Sequence, residues 1–497
     1  MNRLNRIMLG VVVLLAVRAN GGEQTVETRS GAPQFTLDRA ILTALQQNPD
    51  ILRSRQEIER TKGLFIEMRA AALPQVHATS LWQDIDPHLG VISTTGGGVS
   101  ATARSWNVDL VVRQVIFSGG RVPLQIRSAD FQRDSSYYSF RNAIDQVIAT
   151  VRTEFYQILL NKALIGVQEQ SVDLLQSQLQ DQQNRFEAGT VPRFNVLQAQ
   201  VALSNQIPQL ITARNNYRIS QLQLAKTLGL DFNPRRGEGA PLEAVGELTY
   251  TPRAMMLTQA IALAKENRPF IKQQKAVVLS NSAQVGVARS DYFPQLNADA
   301  GTEFRSSPFS AGLNDARSGY IIEATGDWAV WDMGATYGRV KQARAILEQS
   351  KITLDDDVRQ VELEVQQAYS NLIQGRELIQ STQKTVEQAT EALRLAQARL
   401  DAGAGTQLEV LDARTQLTTA SSVRLQALFT YNAAVAEFDR VTATELHYSL
   451  CLDEPGTRRK LQTDPMPTPA PKPTPLPLNG NCEATRTTKT VKSSLAK

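Results

Sequence analysis

The sequence predicts a mixed α and β membrane protein in which one structural half occurs twice. Three observations predict this fold class: an internal duplication, a seven-residue apolar repeat sustained over two stretches of about 70 residues, and short β-like segments before each stretch. A sustained seven-residue repeat is typical of coiled coils. We therefore expect long coiled-coil helical hairpins together with β-hairpins.

Composition excludes several functional classes. The 497-residue chain is 42% hydrophobic and carries 53 basic against 49 acidic residues, a net charge of +4, which gives no basic stripe for nucleic acid. Its three histidines, His77, His88 and His447, lie far apart, and no cysteine or histidine spacing resembles a metal site. Without a nucleotide-binding loop or nucleophile motif, the chain is expected to be no enzyme and to hold no cofactor.

The N-terminus resembles a secretory signal peptide over residues 1–19. Arg3 and Arg6 precede an apolar run over residues 7–17, and Val17 and Ala19 suit a cleavage site. The run is too short to span a bilayer, although a short membrane anchor stays open as an alternative. No later run is long enough for a spanning helix, so we expect a periplasmic protein or an outer-membrane β-barrel.

The duplication is read from two aligned segments. Residues 185–199 match residues 399–413, with Arg185 and Arg399 separated by 214 positions (399 − 185), and residues 73–76 match residues 293–296. The predicted domains follow from this alignment. They are an N-terminal linker (20–36), a first repeat (37–230), a connecting segment (231–255), a second repeat (256–445) and a tail (446–497).

Both repeats have the same predicted order of elements: a helix, a β-hairpin and a long helical hairpin. Gly-containing turns close the helical hairpins, and Pro208 is expected to bend or interrupt the first return helix. The predicted ranges are helices 37–72 and 256–290, β-hairpins 75–117 and 295–331, and helical hairpins 120–228 and 334–441 with tips near 188–192 and 402–406.

One heptad position is apolar throughout both long helices, and its companion position is small or polar. Such a thin apolar seam suits helices that pack beside several neighbours, as in the wall of a tube. The seam residues are Ile144, Val151, Ile158, Ile165, Val172, Leu179 and Phe186, and then Val358, Val365, Leu372, Ile379, Val386, Leu393 and Leu400.

Four strands cannot close a barrel, and open sheet edges are not tolerated in lipid, so spanning a membrane would require assembly. Three chains would supply 12 strands and enough helices for a second, α-helical tube. The implied function is passive conduction, with energy supplied by a partner.

The tail, residues 446–497, is rich in proline and basic residues and is expected to be disordered. Cys451 and Cys482 lie in or beside it. In an oxidising periplasm they form a disulfide or stay free, and the sequence leaves both alternatives open.

The motifs Arg185-Phe-Glu-Ala-Gly with Asn195-Val-Leu-Gln-Ala, and Arg399-Leu-Asp-Ala-Gly with Leu408-Glu-Val-Leu-Asp-Ala, resemble the TolC-like outer-membrane efflux proteins. The resemblance covers roughly residues 35–445. It implies a homotrimer, with a 12-stranded barrel in outer-membrane lipid and a periplasmic α-helical barrel. It also implies a periplasmic membrane-fusion adaptor and an inner-membrane pump of the RND or ABC type, so that the chain is the exit duct of a tripartite efflux or type I secretion system.

The resemblance also implies site residues. Glu409 and Asp412 match the acidic motif that lines the periplasmic aperture and sets ion selectivity; alone, they would be read as two solvated acids on an amphipathic helix. Arg193, Asn195 and Gln198 are candidate gate partners, and Arg193 is a candidate ion-pair partner of either acid. Asn195 stands where some members have a carboxylate, which leaves that latch in doubt.

The hairpin tips are the expected adaptor-docking surface, although their residues also suit simple turns. They comprise Gly189, Thr190, Val191, Gly403, Ala404 and Gly405. A periplasmic coiled-coil adaptor is the alternative function; adaptors have one helical hairpin, whereas this sequence predicts two, each preceded by strands.

Overall fold

The computed structural model describes residues 33–84, 104–230, 242–306 and 312–444. The predicted signal peptide and the whole predicted tail, with Cys451 and Cys482, lie outside these residues. The helices are α1 (Leu37–Gln47), α2 (Pro49–Ala70), α3 (Arg121–Glu187), α4 (Arg193–Leu228), α5 (Leu257–Asn267), α6 (Pro269–Arg289), α7 (Ala335–Asp401) and α8 (Gln407–Thr442). The strands are β1 (Gln34–Phe35), β2 (Gln75–Asp84), β3 (Arg104–Phe117), β4 (Glu243–Ala244), β5 (Gln295–Arg305) and β6 (Arg317–Asp327).

The strands of the two repeats join in one antiparallel sheet of order β2-β3-β5-β6. Side chains that pair across neighbouring strands share a face, and successive residues alternate between faces. One row is polar and contains Arg113, which donates to both carboxylate oxygens of Asp299 at 2.9 and 3.0 Å. The full polar row is Gln75, Arg113, Asp299 and Glu323, and the row beside it on the opposite face is Val76, Val112, Ala300 and Ile322.

The sheet therefore has one polar, charged face and one apolar, exposed face. This alternation is the sequence pattern of strands that separate lipid from an aqueous interior. None of the helices in the described residues is both long and apolar enough to cross a membrane.

The helices form two antiparallel hairpins, α3 with α4 and α7 with α8. The helices α3 and α7 each have 67 residues, so each is about 100 Å long at 1.5 Å per residue. Each hairpin has its own apolar core, closed by α1 in the first repeat and by α5 in the second. At Gly375 the helices α7 and α8 approach closely, because an added Cβ there would lie 3.0 Å from the Cα of Tyr431.

The apolar seam follows the heptad prediction over most of its length. Ile144, Val151 and Ile158 in α3, and Val365 and Leu372 in α7, are all buried. Burial weakens toward the tips, where Phe186 at the end of the first series is exposed. The seam therefore packs within the chain near the middle of the helices and is open to neighbours at the tip.

The sequence predicted one continuous helix before each β-hairpin. In the structure a proline divides each of these helices into two. Asn48 and Arg268 have extended backbones (ψ 128° and 122°), and Pro49 and Pro269 begin the next helices. A residue before proline is driven out of the helical region by the ring, which explains both breaks. In contrast, Pro208 lies inside α4 without interrupting it.

Two other boundaries differ from the predictions. The last strand ends at Asp327 instead of residue 331, and the carboxylate of Asp332 then accepts from the backbone N–H groups of Gly334 and Thr336 and so caps α7. The predicted linker and connecting segment each contribute a short strand, β1 and β4, which pair in parallel because Phe35 and Ala244 belong to the first core.

A charged cluster joins the two repeats where α3 meets α8. The carboxylate of Asp439 is nearly buried and accepts from Arg152 of α3 at 3.2 Å and from Arg253 at 2.6 Å. In the same region burial raises the pKa of Asp145 to about 6, although Arg141 and Arg440 favour its charged form. The interface between the repeats thus contains a charged cluster, whereas each hairpin core is apolar.

Candidate functional site

The candidate site is formed by the two hairpin tips and the first turns of α4 and α8. At the first tip Gly189 has φ +72°, and both the N–H and the hydroxyl of Thr190 donate to the carbonyl of Arg185. Glycine adopts this left-handed conformation without strain, so the helix ends here in a tight turn. Thr190 and Val191 stand at the end of the hairpin with their side chains at the surface.

The second tip has the same plan and a turn of the same length. Gly403 has φ +73°, and the N–H groups of Ala404 and Gly405 both donate to the carbonyl of Arg399. A Cβ on Gly405 would lie 3.0 Å from the backbone nitrogen of Leu400, which is a tight contact. Thr406 then caps α8 by accepting from the N–H of Glu409.

Glu409 and Asp412 lie one turn apart on the exposed face of α8. The carboxylate of Glu409 is 3.9 Å from the guanidinium of Arg399, and Asp412 accepts from Gln416 at 2.7 Å. Val410, on the opposite side, is buried. Because neither carboxylate is buried in the chain, both are free to face an aqueous space.

The structure does not bring the candidate gate partners of the first repeat to these acids. Arg193 is exposed in the first turn of α4, and the ion-pair partner of Glu409 in the described residues is Arg399. Asn195 and Gln198 are half-buried one turn apart, which matches the placement of Glu409 and Asp412 on α8. Arg193 begins α4 and the two acids lie in the first turns of α8, and the described residues show no hydrogen bond or ion pair between them.

A tether between the hairpins was missed by sequence reasoning. Arg414 of α8 donates to the carbonyl of Leu174 at 3.1 Å and to the side-chain oxygen of Gln178 at 2.6 Å, both on α3. Gln178 is buried, and burial lowers the pKa of Arg414. One feature of the sequence could have pointed to this contact. The two repeats differ here, because Gln200 occupies the position in the first repeat that corresponds to Arg414 (414 − 214).

No group of acidic, histidine or cysteine side chains in the described residues is arranged to hold a metal ion. The polar groups at the tips are carboxylates, amides and arginines at the ends of long helices. This arrangement can set the charge and width of an opening.

The duplicated hairpins also match a family model. The model of the outer membrane efflux protein family matches twice, over residues 40–230 and 260–443. This chain belongs to that family. The two matches correspond to the two repeats, and they confirm the family predicted from the tip motifs.

Relatives of this outer membrane efflux protein are similar over most of their length. The solvent efflux pump outer membrane protein SrpC of Pseudomonas putida is 23% identical over 81% of this chain and 85% of its own. The alkaline protease secretion protein AprF of Pseudomonas aeruginosa is 24% identical over 79% and 81%. Nodulation protein T of Rhizobium leguminosarum bv. trifolii is 22% identical over 83% and 86%.

Solved structures have the same fold. The Campylobacter jejuni CmeC outer membrane channel superposes with a TM-score of 0.73 at 15% identity, covering 82% of this chain and 85% of that one. The open state of the Neisseria gonorrhoeae MtrE outer membrane channel gives 0.65 at 18% identity, covering 82% and 88%. The predicted fold class and the location, an outer membrane with a large periplasmic portion, are confirmed.

Proposed function

We propose that this outer membrane efflux protein is the exit duct of a tripartite efflux or type I secretion system and conducts its cargo passively. The observation that carries the proposal is the sheet with one polar and one apolar face, from which two helical hairpins about 100 Å long extend. An apolar outer face suits lipid, and a charged inner face suits a water-filled lumen. Family and fold favour this channel over the adaptor alternative.

Three copies form the working channel in this proposal. The outer strands β2 and β6 have no further strand partner among the described residues, and unpaired strand edges are costly in lipid. Three four-stranded sheets would close into 12 strands. The helix α4 also exposes apolar side chains at heptad spacing, including Phe194, Val201 and Leu222, which suits contact with a neighbouring copy.

Glu409 and Asp412 form the narrow periplasmic aperture in this assembly. Three copies would bring six carboxylates around one axis, and rings of acidic side chains select cations. Because Arg399 lies 3.9 Å from Glu409 at the surface, it only partly neutralises this ring. Gln178 and Arg414, which fix α8 against α3, would hold the aperture narrow.

Conductance of the purified protein in planar bilayers tests the aperture. We expect a small, cation-selective pore that becomes wider and less selective when Glu409 and Asp412 are both changed to alanine. The control changes Asp173, an exposed acid 14 residues before the end of α3 (187 − 173), to alanine and should leave selectivity unchanged. Equal selectivity in all three proteins would remove Glu409 and Asp412 from the aperture, and a soluble monomer outside the outer-membrane fraction would contradict the channel itself.

The tips would dock a periplasmic adaptor that connects the duct to an inner-membrane pump. Thr190 and Ala404 are the outermost exposed residues of their turns, and Phe194 and Leu408 add exposed apolar surface in the first turn of each return helix. Cysteine-specific crosslinking from Thr190→Cys to the adaptor in cells tests this contact. Crosslinks that form equally from a cysteine in the middle of α3 would argue against tip docking.

The cargo is set by the pump in this arrangement. The similar proteins are named for solvent efflux, for secretion of an alkaline protease and for resistance to cobalt, zinc and cadmium. One fold thus accompanies cargo of very different size and charge, which is consistent with a duct that does not itself choose the substrate.

A further inference from the structure

A basic and aromatic cavity of about 430 Å³ lies where the helices of the second repeat meet the sheet. We infer that this cavity binds the phosphate-bearing headgroup of an anionic phospholipid in the periplasm-facing leaflet of the outer membrane. The inference rests on the proposed insertion of the sheet into that membrane. The cavity is lined by Arg289, Tyr292, Phe293, Tyr337, Val340, Lys341 and Arg344.

The cavity lies at the depth that a lipid headgroup would occupy. Phe293 stands two residues before β5, and α7 begins eight residues after β6 (335 − 327), so both walls of the cavity adjoin the end of the sheet from which the helices extend. The indole N–H of Trp328 donates to the carbonyl of Tyr292 at 3.2 Å, which places this exposed tryptophan beside the cavity. Tryptophan and tyrosine concentrate at the boundary between lipid tails and water.

The charge of the cavity is complementary to a phosphate. Arg289, Lys341 and Arg344 are exposed, and none of them forms an ion pair with a carboxylate in the part of the chain that the structure describes. The carboxylates nearest in sequence are occupied by other cations, Asp291 by Arg121 and Arg339 and Glu348 by Lys351. Three positive charges thus converge without a neutralising acid, while Phe293 offers an apolar surface for the start of an acyl chain.

The first repeat provides an internal comparison, because it has the same helices and only part of the site. Arg69 and Arg127 are the basic counterparts of Arg289 and Lys341 (69 + 220, 127 + 214). Ala72, Pro123 and Asp130 occupy the positions of Tyr292, Tyr337 and Arg344 (72 + 220, 123 + 214, 130 + 214). Asp130 forms an ion pair with Arg133 at 2.5 Å, so this end of α3 carries a neutralised charge.

The fold therefore does not require Arg344 or the two tyrosines, Tyr292 and Tyr337, of the second repeat. Their convergence at the membrane boundary suits a ligand with a negative charge and an apolar tail better than it suits helix packing. A free anion would use the three cations but not the adjoining tyrosine and tryptophan rings.

Native mass spectrometry of the delipidated assembled protein with added phosphatidylglycerol tests the site. The double variant K341Q/R344Q keeps two polar side chains on the same exposed face of α7 but removes two charges. We expect its affinity for phosphatidylglycerol to fall about thirtyfold, since each of the two cations removed contributes roughly a fivefold step near an anionic membrane surface. The matched control is Arg127→Gln, at the position of the first repeat that corresponds to Lys341, and it should retain wild-type affinity.

Three results would overturn the inference. The first is that the double variant binds phosphatidylglycerol as tightly as the wild type does. The second is that the wild type binds zwitterionic phosphatidylethanolamine as tightly as phosphatidylglycerol. The third is that inorganic phosphate binds at the same concentration as the lipid. The circular dichroism spectrum of the double variant must match that of the wild type, as a control for folding. Tyr337→Ala is a second variant and should also weaken lipid retention. Conductance in bilayers without anionic lipid separates the channel proposal from the lipid-site proposal. If the wild-type protein conducts there but binds no phosphatidylglycerol, the lipid site is refuted and the channel is not.

Discussion

The tether from Arg414 to α3 is the contact whose loss should most directly open the periplasmic end. Arg414 lies two residues beyond Asp412 on α8, and its guanidinium holds the backbone carbonyl of Leu174 and the side chain of Gln178 on α3. Replacing Arg414 by alanine removes both hydrogen bonds and leaves the buried oxygen of Gln178 without this donor. We expect the tip of α8 to separate from α3 and to carry Glu409 and Asp412 outward.

The expected free-energy change follows from the two hydrogen bonds and from the cost of desolvating the guanidinium. A hydrogen bond that involves a charged group contributes about 1.5 to 3 kcal/mol. The guanidinium is half-buried, burial lowers its pKa, and its Nε atom has no hydrogen-bond partner in the described residues, so the desolvation cost offsets part of this gain. A net tether of about 2 kcal/mol per chain corresponds to roughly a thirtyfold change in the ratio of closed to open tips.

Single-channel recording in planar bilayers measures this change as a higher open probability and a larger mean conductance. Arg424→Ala is the control, because it removes the same charge from an exposed site ten residues further along α8. Gln178→Leu should shift the channel in the same direction as Arg414→Ala. The reasoning is wrong if Arg414→Ala conducts like Arg424→Ala and like the wild type.

Two further predictions concern stability, and both use thermal unfolding followed by circular dichroism. Burial raises the pKa of Asp145 to about 6, so the folded state binds this proton more tightly than the unfolded state, and stability falls as the pH rises from roughly 4 to 6. Asp145→Asn should therefore stabilise the protein at pH 7.5, by up to about 3 kcal/mol, and have little effect at pH 4. An equal effect at both pH values would contradict this. Gly375→Ala should destabilise by about 1 kcal/mol, because its Cβ would lie 3.0 Å from the Cα of Tyr431. Gly166→Ala, with no atom within 4 Å of its added Cβ, should stabilise by about 0.5–1 kcal/mol, and the same sign for both glycines would refute the packing argument.

The sequence predicted the helical hairpins and the four strands because their signals are local. Heptad spacing, glycine turns and alternating strands each depend on residues within a few positions of one another. The breaks before Pro49 and Pro269 were also readable from the restriction that proline places on the preceding residue, but the apolar periodicity on either side masked them. Pro208 shows the opposite outcome, since packing keeps α4 helical through it.

The contacts that join the repeats could not be predicted from such signals. Asp439 meets Arg152 and Arg253, which lie 287 and 186 residues away along the chain, and Arg414 meets Gln178 over 236 residues. Nothing local distinguishes these side chains from the many solvated charges on long helices. A difference between the repeats was the one useful indication of these contacts. Ala225 occupies the position in the first repeat that corresponds to Asp439 (439 − 214).

These departures give the duplication a physical meaning. In a tube built from three copies, first and second repeats alternate around the ring, so each repeat has a copy of the other repeat on both sides. If the apolar seams were identical, a hairpin could pair equally well with the other hairpin of its own chain or with a hairpin of the next copy. Buried polar pairs discriminate between such alternatives, because a mismatched partner leaves a charge unpaired. The pairs of Asp439 with Arg152 and of Arg414 with Gln178 lie where α3 meets α8 of the same chain. In the proposed trimer they would therefore determine which of the two interfaces closes within the chain and which is left for assembly, and the second of them lies beside the acids that we place at the aperture.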